Sequence, residues 1–285
     1  KARLISGEVR KIRDHEYLLT EAEQNQGYLL ACSNTAVTDI VLAAEEAMDE
    51  EDIEEQTVPA YIKKVTHISD EMAIVHLNTV RRQRLRFLSG QKARLGNESG
   101  DSHWYHIASC PCDDRNLQFH IKHDNSPFAN YIFHQASIND AIELTGPQGH
   151  FILRRKLDKP AIFIAVDTGF APIKSLIEHA LTLELADHFQ LYWLTTGHKP
   201  HYQHNLCRAW TDAFDHFFYS ALSLDNSDDT DEWQSALKQI DNAYPDLSDY
   251  VVYFSGPKNM AETARRHFST RGLPRNMMFI ENPIE

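Results

Sequence analysis

The chain has 285 residues and a formal net charge of −13, from 28 Lys and Arg side chains against 41 Asp and Glu side chains. This length suits two or more domains, and an acidic chain without a basic cluster is not typical of proteins that bind nucleic acid or an anionic membrane. Because no apolar run approaches the length of a membrane span and no signal-type start is present, we expect a cytoplasmic protein whose partners are small molecules or proteins.

The amino-terminal part predicts short strands and one helical turn. Residues 1–9 alternate into a glycine turn, and residues 27–33 and 39–42 are typical of further strands. Thr20-Glu21-Ala22-Glu23 has the pattern of a capping box, which begins a helix. Residues 45–56 are strongly acidic and nearly without apolar side chains, which predicts a solvated linker and a domain boundary.

Short alternating segments separated by turn residues then predict a small antiparallel barrel. The candidate strands are residues 61–65, 72–77, 85–88, 104–108, 117–121 and 141–144. Residues 126–135 interrupt them and are predicted as a helix with Phe128, Tyr131 and Ile132 facing inward.

The last part of the chain predicts a parallel sheet with helices. Residues 161–166 form a continuous apolar run, typical of a strand buried on both faces. Asp167-Thr168-Gly169 ends the run, and Pro172 suits the first turn of an amphipathic helix. Such a strand, turn and helix directs backbone N–H groups at a ligand above the end of the strand.

The same design returns once more near the carboxyl end. Residues 250–255 are a second buried run, Ser255-Gly256-Pro257 is its turn, and a helical pattern continues through Phe268. Residues 191–194 supply a third strand of the predicted sheet.

The two turns resemble motifs of the ferredoxin–NAD(P) reductase superfamily. That family has G-T-G-x-A-P at the first turn and C-G-P-x-x-M at the second. Here they stand as Asp167-Thr168-Gly169-Phe170-Ala171-Pro172 and Ser255-Gly256-Pro257-Lys258-Asn259-Met260. The resemblance implies that Thr168, Gly169, Ser255 and Gly256 seat a nicotinamide nucleotide, with Pro172, Pro257 and Met260 as further motif positions.

Two of these positions depart from the family. Asp167 replaces a glycine and adds a negative charge where a pyrophosphate must approach. Ser255 replaces the Cys that faces the reacting carbon of the nicotinamide, and it is a catalytic candidate for that reason. His198 and Lys199 favour NADP at the ribose end of the cofactor, but the alternative is that both are exposed loop residues, so NADH and NADPH stay open.

The barrel resembles the flavin-binding domain of the same family, with altered motifs. The family's R-x-Y-[ST] stands as His103-Trp104-Tyr105-His106, and its G-x-x-S stands as Ser126-Pro127-Phe128-Ala129. The resemblance implies that Tyr105 and His106 flank the flavin as catalytic residues. The other flavin-binding candidates are His103, Lys122 and Ser126. Because His lacks the fixed charge and bidentate fork of Arg, we expect weaker or more pH-dependent flavin binding, and FAD and FMN both stay open.

The amino-terminal segment resembles the second half of a plant-type [2Fe-2S] ferredoxin domain. Its Gly27-Tyr28-Leu29-Leu30-Ala31-Cys32 matches the family's G-Y-x-L-A-C, which implies that Cys32 is one cluster ligand. The alternative is an ordinary small buried residue. The resemblance places the other three ligands before residue 1, so this chain cannot hold the cluster by itself.

The remaining cysteines predict no metal site. Cys110-Pro111-Cys112 has no second pair nearby, and the chain's four cysteines are too few and too scattered for a disulfide framework, so we expect reduced thiols.

The resemblance implies an α/β and β multidomain fold. Its parts are a partial ferredoxin-like β-grasp fragment over residues 1–47, an acidic linker over residues 48–57, an antiparallel flavin-binding β-barrel over residues 58–157 and a parallel-sheet NAD(P)-binding α/β domain over residues 158–285. It also implies an electron-transfer reductase that passes a hydride from NAD(P)H to FAD or FMN, and single electrons through a [2Fe-2S] cluster to an oxygenase component or similar acceptor. The alternative function is a non-catalytic binding or regulatory module, because several cofactor motifs are altered together.

Overall fold

The computed structural model describes residues 2–13, 19–43, 53–80, 83–154, 159–185, 188–197, 199–225 and 230–282. The chain forms two compact units, Lys1–Met48 and Asp49–Glu285. Residues 45–52 of the acidic run that predicts the linker lie outside the described residues.

The first unit consists of short antiparallel strands and one helix. Its strands are β1 (Ala2–Ser6), β2 (Val9–Lys11), β3 (Tyr28–Leu29), β4 (Asn34–Ala36) and β5 (Val41–Ala43). They pair in the order β3-β1-β5 and as a separate β2-β4 ribbon. Helix α1 (Glu21–Asn25) begins at Thr20, whose hydroxyl accepts from the N–H of Glu23 at 3.3 Å while the Glu23 carboxylate accepts from the Thr20 N–H at 2.8 Å. The predicted capping box is therefore confirmed.

The strand predicted over residues 27–33 is only partly correct. Pairing ends at Leu29, and Ala31–Ser33 is a 3-10 helix that contains the backbone of Cys32. The turn is closed by the Ser33 N–H and the Asn34 side-chain amide, which both donate to the carbonyl of Leu30. These bonds replace the ladder bonds that a longer strand would need.

The second unit begins with an antiparallel sheet and one helix. The strands are β6 (Gln56–Ser69), β7 (Met72–Thr79), β8 (Lys92–Gly96), β9 (Ser102–His106), β10 (Asn116–Lys122) and β11 (Ala141–Gln148), in the order β10-β7-β6-β11-β8-β9. A bridge between Ile107 and Phe119 connects the chain just after β9 to β10, so the outer strands approach each other. Helix α2 (Pro127–His134) covers the barrel with Phe128 and Ile132 buried, as predicted, whereas Tyr131 is only partly buried against the barrel core.

The barrel differs from the prediction at one place. Residues 85–88 are not a strand, although Leu85 and Phe87 are both buried in the core. The missing strand is β8, where Ala93 and Leu95 point inward and Lys92 and Arg94 alternate with them. Alternation in sequence reports burial, and a loop that lines the core can produce it without ladder bonds.

The carboxyl-terminal half of this unit is a five-stranded parallel sheet. Its strands are β12 (Ala161–Val166), β13 (Phe189–Thr196), β14 (Phe217–Leu224), β15 (Val251–Ser255) and β16 (Met278–Glu281), in the order β14-β13-β12-β15-β16. Its helices are α3 (Phe170–Thr182), α4 (His204–Ala213), α5 (Thr230–Asn242) and α6 (Lys258–Thr270). The α/β prediction and the antiparallel β prediction are both confirmed.

Strand β12 is central and buried along its whole length. Phe163 and Ala165 contribute to one hydrophobic core, whereas Ile162 and Ile164 contribute to the other. A strand with a core on each face needs apolar side chains at every position, which is why this run shows no alternation.

Helix α3 connects the sheet to the barrel through buried polar contacts. The Lys174 ammonium donates to the carbonyl of Ala108 at 2.9 Å and to the Glu178 carboxylate at 2.6 Å. Burial lowers the pKa of Lys174, and the charge of Glu178 opposes that shift. The Ser175 hydroxyl donates to the carbonyl of Ser109 at 2.7 Å.

Cys110 and Cys112 are joined by a disulfide, and Cys207 is a buried free thiol. The expectation of reduced thiols is therefore wrong for this pair. A Cys-x-Cys pair has its two α-carbons 5.2 Å apart here, which is within the range that a disulfide bridges.

Among the helices of the described residues, none combines the length and the apolar character needed to cross a bilayer.

Candidate functional site

A cleft of about 470 Å³ lies in the second unit between the barrel strands β9 and β10 and the carboxyl ends of β12, β13 and β15. This is the edge of a parallel sheet at which ligands are usually bound. The barrel side presents aromatic and imidazole side chains, and the sheet side presents the two predicted turns.

Strand β9 supplies the barrel wall of the cleft. Tyr105 is 7% exposed, and its ring lies 5.0 Å from His103 and 5.9 Å from Phe128, measured between ring centroids. Its hydroxyl is buried and makes no hydrogen bond of ordinary length and angle to a described residue, although the Ser126 side chain lies near it. Burial raises the pKa of Tyr105, so the phenol stays protonated near neutral pH.

The His106 imidazole is also incompletely hydrogen-bonded. Neither ring nitrogen makes a hydrogen bond of ordinary length and angle to a described residue, although Nε2 lies 3.6 Å from the Glu281 carboxylate and the Gly90 backbone is near the ring. Desolvation, and then the charge of Lys92, lowers the pKa of His106 to about 4. Burial raises the pKa of Glu281. At neutral pH the imidazole is therefore uncharged, and the contact is not an ion pair.

His120 on β10 adds a third incompletely bonded group. Its Nδ1 lies 2.9 Å from the Tyr202 hydroxyl, and its Nε2 is buried without a partner in the described residues. Its ring stacks at 6.1 Å on Phe170, which in turn stacks at 3.9 Å on Trp193. Desolvation holds the pKa of His120 well below its usual value. This imidazole is therefore neutral and held in place by aromatic rings.

The two turns on the sheet side are packed against each other. A β-carbon at Gly169 would stand 2.3 Å from the carbonyl oxygen of Ser255, and one at Gly256 would stand 2.7 Å from Val166 Cγ2. Only glycine fits either position without displacing the opposite strand. This contact places Thr168 and Ser255 side by side at the floor of the cleft.

Asp167 occupies the left-handed backbone region with φ = 50°. Its carboxylate accepts hydrogen bonds from the N–H and the hydroxyl of Thr196, at 2.9 and 2.6 Å, and lies 3.6 Å from the Lys199 ammonium. The indole N–H of Trp193 donates to its carbonyl at 3.2 Å. These bonds offset the cost of a positive φ and turn the carboxylate towards the end of β13.

Ser126 is already occupied by local bonds. Its N–H donates to Asp124 at 2.9 Å, and its hydroxyl accepts from the N–H of Ala129 as the cap of α2. Asp124 also lies 4.0 Å from His103 Nε2. A carboxylate thus stands in the cleft beside the residues predicted to meet a flavin phosphate.

The structure brings most of the predicted site residues together. Those that line the cleft are His103, Tyr105, His106, Lys122, Thr168, Gly169, Ser255 and Pro257. Of the others, Pro172 and Met260 are buried in helices α3 and α6, Gly256 packs on Val166, and Ser126 caps α2. Cys32 belongs to the first unit.

Comparison with known proteins identifies the family. A model of the oxidoreductase FAD-binding domain matches residues 59–152. The CDP-6-deoxy-L-threo-D-glycero-4-hexulose-3-dehydrase reductase of Yersinia pestis is 30% identical over 285 residues, which covers 98% of this chain and 84% of that protein. The chain belongs to the ferredoxin–NAD(P) reductase superfamily. It is therefore an NAD(P)H-dependent flavin oxidoreductase that transfers electrons to an acceptor, which confirms the predicted class.

Further members and solved structures agree on this fold. The toluate 1,2-dioxygenase electron transfer component of Pseudomonas putida is 24% identical over 266 residues, covering 93% of this chain and 79% of that one. The Amycolatopsis cytochrome P450 reductase GcoB superposes with a TM-score of 0.69 at 21% identity, covering 99% of this chain and 86% of the other. Phthalate dioxygenase reductase superposes with a TM-score of 0.62 at 18% identity, covering 79% of this chain and 68% of the other.

Several side chains in or beside the cleft were not predicted from the sequence. Asp124, His120 and Tyr202 line it, and Glu281 borders His106. None of them belongs to the family motifs of the barrel or of the two turns. The alternating strand around His120 predicted only a barrel strand, and no local pattern indicates that its ring meets Tyr202.

Replacing Asp167 by asparagine tests whether its charge opposes nucleotide binding. The amide oxygen of Asn still accepts from the Thr196 N–H, and Asn tolerates a positive φ. In the predicted nucleotide site a phosphate approaches Asp167, and removing that negative charge is worth about 1 kcal/mol in a solvated cleft, so we expect the KM for the nicotinamide nucleotide to fall about fivefold. Steady-state kinetics with NADH and NADPH measure this.

Two further variants control for the change of net charge. Glu143→Gln removes a carboxylate from an exposed position of β11 and is expected to leave KM unchanged. Lys199→Met removes the cation beside Asp167 and is expected to raise KM. An Asp167→Asn enzyme with the parental KM would contradict the proposed repulsion.

Proposed function

We propose that the cleft holds a flavin against Tyr105 and a nicotinamide nucleotide against Thr168 and Ser255, and that the enzyme reduces a protein acceptor. The observation that carries this proposal is the group of buried, unpartnered polar atoms on the barrel wall, namely Tyr105 Oη, both His106 ring nitrogens and His120 Nε2. Each such atom costs about 1–3 kcal/mol unless a ligand completes its hydrogen bonds. A flat, polar-edged ring such as isoalloxazine fits them.

The protein's part in the reaction is to orient the bound rings and to exclude water from them. The chemistry that a bound flavin supplies is to accept a hydride and to pass its electrons on one at a time. Tyr105 offers a ring face and a protonated hydroxyl, while neutral His106 offers one donor and one acceptor without adding positive charge. Gly169 and Gly256 let the two turns of the nucleotide floor pack closely against each other opposite this wall, so that two rings can lie face to face.

The phosphate end of the flavin fits less well than the ring end. Asp124 is negative, His103 replaces the family's Arg, and the polar groups of Ser126 are engaged locally. This supports the expectation of weak flavin binding, or of a smaller flavin than FAD.

Replacing His103 by arginine is therefore expected to tighten FAD binding. Arg restores a permanent charge and a bidentate donor beside Asp124, worth about 1.4 kcal/mol, so we expect the Kd for FAD to fall about tenfold. Fluorescence titration of the apoprotein measures this. Riboflavin, which has no phosphate, is the control ligand and should bind both proteins equally. A similar gain for riboflavin would show that the ring site had changed, and no gain for FAD would exclude a phosphate at this position.

The iron–sulfur part of the prediction does not fit this chain alone. A [2Fe-2S] cluster takes four thiolates. The first unit contributes Cys32, while Cys110 and Cys112 are disulfide-bonded and Cys207 is buried in the second unit. We propose Cys32 as a ligand only in combination with cysteines outside residues 1–285. The proposed division of the chain remains residues 1–47, 48–57, 58–157 and 158–285.

Two classes of acceptor are supported by relatives. The Yersinia pestis protein, at 30% identity, is named as the reductase of a nucleotide-sugar dehydrase, whereas the oxygenase electron transfer component is 24% identical. The higher identity favours a dehydrase acting on a CDP-linked deoxysugar, with an oxygenase component as the second candidate. NADH oxidation in the presence of each purified acceptor and its substrate distinguishes them.

An absorption spectrum tests the flavin proposal directly. The purified full chain is loaded with FAD or FMN without oxygen, and NADH and NADPH are then added in turn. We expect flavin bands that one nucleotide bleaches. A protein that binds neither flavin would overturn the proposed site and favour the alternative of a non-catalytic binding module.

A further inference from the structure

The disulfide between Cys110 and Cys112 lies outside the flavin and nucleotide cleft. It follows the buried segment Ala108–Ser109 and spans a single 3-10 turn, Pro111–Asp113. Neither sulfur lines the cleft. The electron-transfer reaction described above makes no use of it.

The two sulfur atoms have different surroundings. Cys110 is 7% exposed, whereas Cys112 is exposed. The Cys110 sulfur lies 3.5 Å from His179 Nδ1 and accepts a hydrogen bond from the Cys112 N–H at 3.3 Å. The Cys112 sulfur lies 3.8 Å from the Thr182 hydroxyl and within 4.8 Å of a ring nitrogen of the same His179. One sulfur is therefore open to attack, and the other can be stabilised as a leaving thiolate.

Helix α3 holds this arrangement rigidly. Lys174 and Ser175 bind the carbonyls of Ala108 and Ser109, the two residues directly before Cys110. Both contacts are buried. His179 follows on the next turn of the same helix, so its ring is positioned by the same contacts that position Cys110.

We propose that Cys110 and Cys112 form a second redox site, which exchanges with low-molecular-weight thiols of the glutathione class. A glutathione thiolate attacks Cys112 Sγ, the S–S bond breaks, and Cys110 leaves as a thiolate beside His179 and the Cys112 N–H. A second glutathione thiolate attacks the glutathione sulfur of the mixed disulfide and releases Cys112. Two glutathione thiols are oxidised to glutathione disulfide, and both protein thiols end protonated.

The reverse direction assigns the same roles. Glutathione disulfide reacts with the exposed Cys112 thiolate to form a mixed disulfide and release one glutathione. The Cys110 thiolate then attacks Cys112 Sγ and expels the second glutathione. Cys110 is thus the internal nucleophile, and His179 contacts the reacting sulfur in both directions.

Thiol trapping of the full chain tests this site. The protein is equilibrated with reduced or oxidised glutathione, quenched with acid and alkylated. Mass spectrometry then measures the mass of the peptide that contains both cysteines. We expect two alkyl groups after reduced glutathione and none after oxidised glutathione. Cys207 is buried and should stay unmodified in both samples before denaturation, which reports that the protein is folded.

Single variants separate the two sulfurs. Cys110→Ser should accumulate one glutathione on Cys112, because no internal thiol remains to expel it. Cys112→Ser should react with oxidised glutathione at least about tenfold more slowly, since Cys110 is buried. His179→Leu, which has no polar side-chain atom, should slow reduction by glutathione about tenfold, because the imidazole beside the leaving thiolate is lost. Thr182→Val, beside the attacked sulfur on the same helix, is the matched control and should react at the parental rate.

Several results would overturn the proposal. Two alkylated cysteines after equilibration with oxidised glutathione would show that no disulfide forms. A disulfide that reduced glutathione opens only in denaturant would show a purely structural bond. Equal reactivity of Cys110→Ser and Cys112→Ser would show that the two sulfurs do not have the different roles proposed. Circular dichroism of each variant checks that these rates come from folded protein.

Discussion

Replacing Gly169 by alanine is expected to destabilise the second unit by about 2–3 kcal/mol and to abolish nicotinamide nucleotide binding. The added β-carbon would stand 2.3 Å from the carbonyl oxygen and 2.8 Å from the carbonyl carbon of Ser255. Both are backbone atoms of the neighbouring strand and cannot rotate away. The ends of β12 and β15 would have to separate, which would displace the floor of the cleft. Denaturant unfolding and the KM for NADH and NADPH measure the two effects.

Gly96→Ala is the matched control for this substitution. A β-carbon at Gly96 would meet the Ser102 side chain at 3.6 Å, an ordinary van der Waals distance. We expect its unfolding free energy to change by less than about 1 kcal/mol. If Gly169→Ala proves as stable as Gly96→Ala and binds nucleotide normally, the close contact between the two turns does not shape the site.

Replacing Tyr105 by alanine is expected to remove flavin binding almost completely. The variant loses the ring that forms the barrel wall, which costs about 3 kcal/mol of folding stability. Losing both ring contact and hydroxyl is expected to weaken flavin binding at least about a hundredfold. The flavin content of the purified protein and its Kd for added FAD and FMN measure this.

Tyr105→Phe separates the ring from the hydroxyl. The hydroxyl makes no hydrogen bond of ordinary geometry to a described residue, so its removal is expected to change folding stability by less than about 1 kcal/mol. Flavin affinity should nevertheless fall about tenfold if the hydroxyl binds the cofactor. Trp104→Ala, on the same strand but outside the cleft, should retain flavin. Full flavin content in Tyr105→Ala would show that the flavin binds elsewhere.

Local sequence was a reliable guide where one physical cause dominated. The run over residues 161–166 predicted a doubly buried strand because both faces of β12 carry a core. Thr20 and Glu23 predicted a helix start because a capping box needs only neighbouring residues. By contrast, the sequence predicted a strand over residues 85–88, which form a loop, and did not predict β8. Buried and exposed side chains alternate in that loop as they do in a strand.

At Asp167 the motif predicted the change of residue but not the contacts of the new side chain. The sequence indicated that an acidic residue replaced a glycine at a pyrophosphate-binding turn. It could not indicate that Thr196 and Lys199 would bind the carboxylate and turn it towards β13. That arrangement depends on which strands are neighbours, and strand order is a property of the whole sheet.

The sequence by itself determined the fold class, the two glycine turns and the position of Tyr105, because each depends on a contiguous run or on steric limits within a few residues. The tertiary structure alone decided which groups meet in the cleft. His120 and Tyr202 are 82 residues apart in the chain yet share a hydrogen bond, and His106 is neutral only because the fold buries it. Desolvation and long-range contact are set by elements distant in sequence, so no local pattern can encode them.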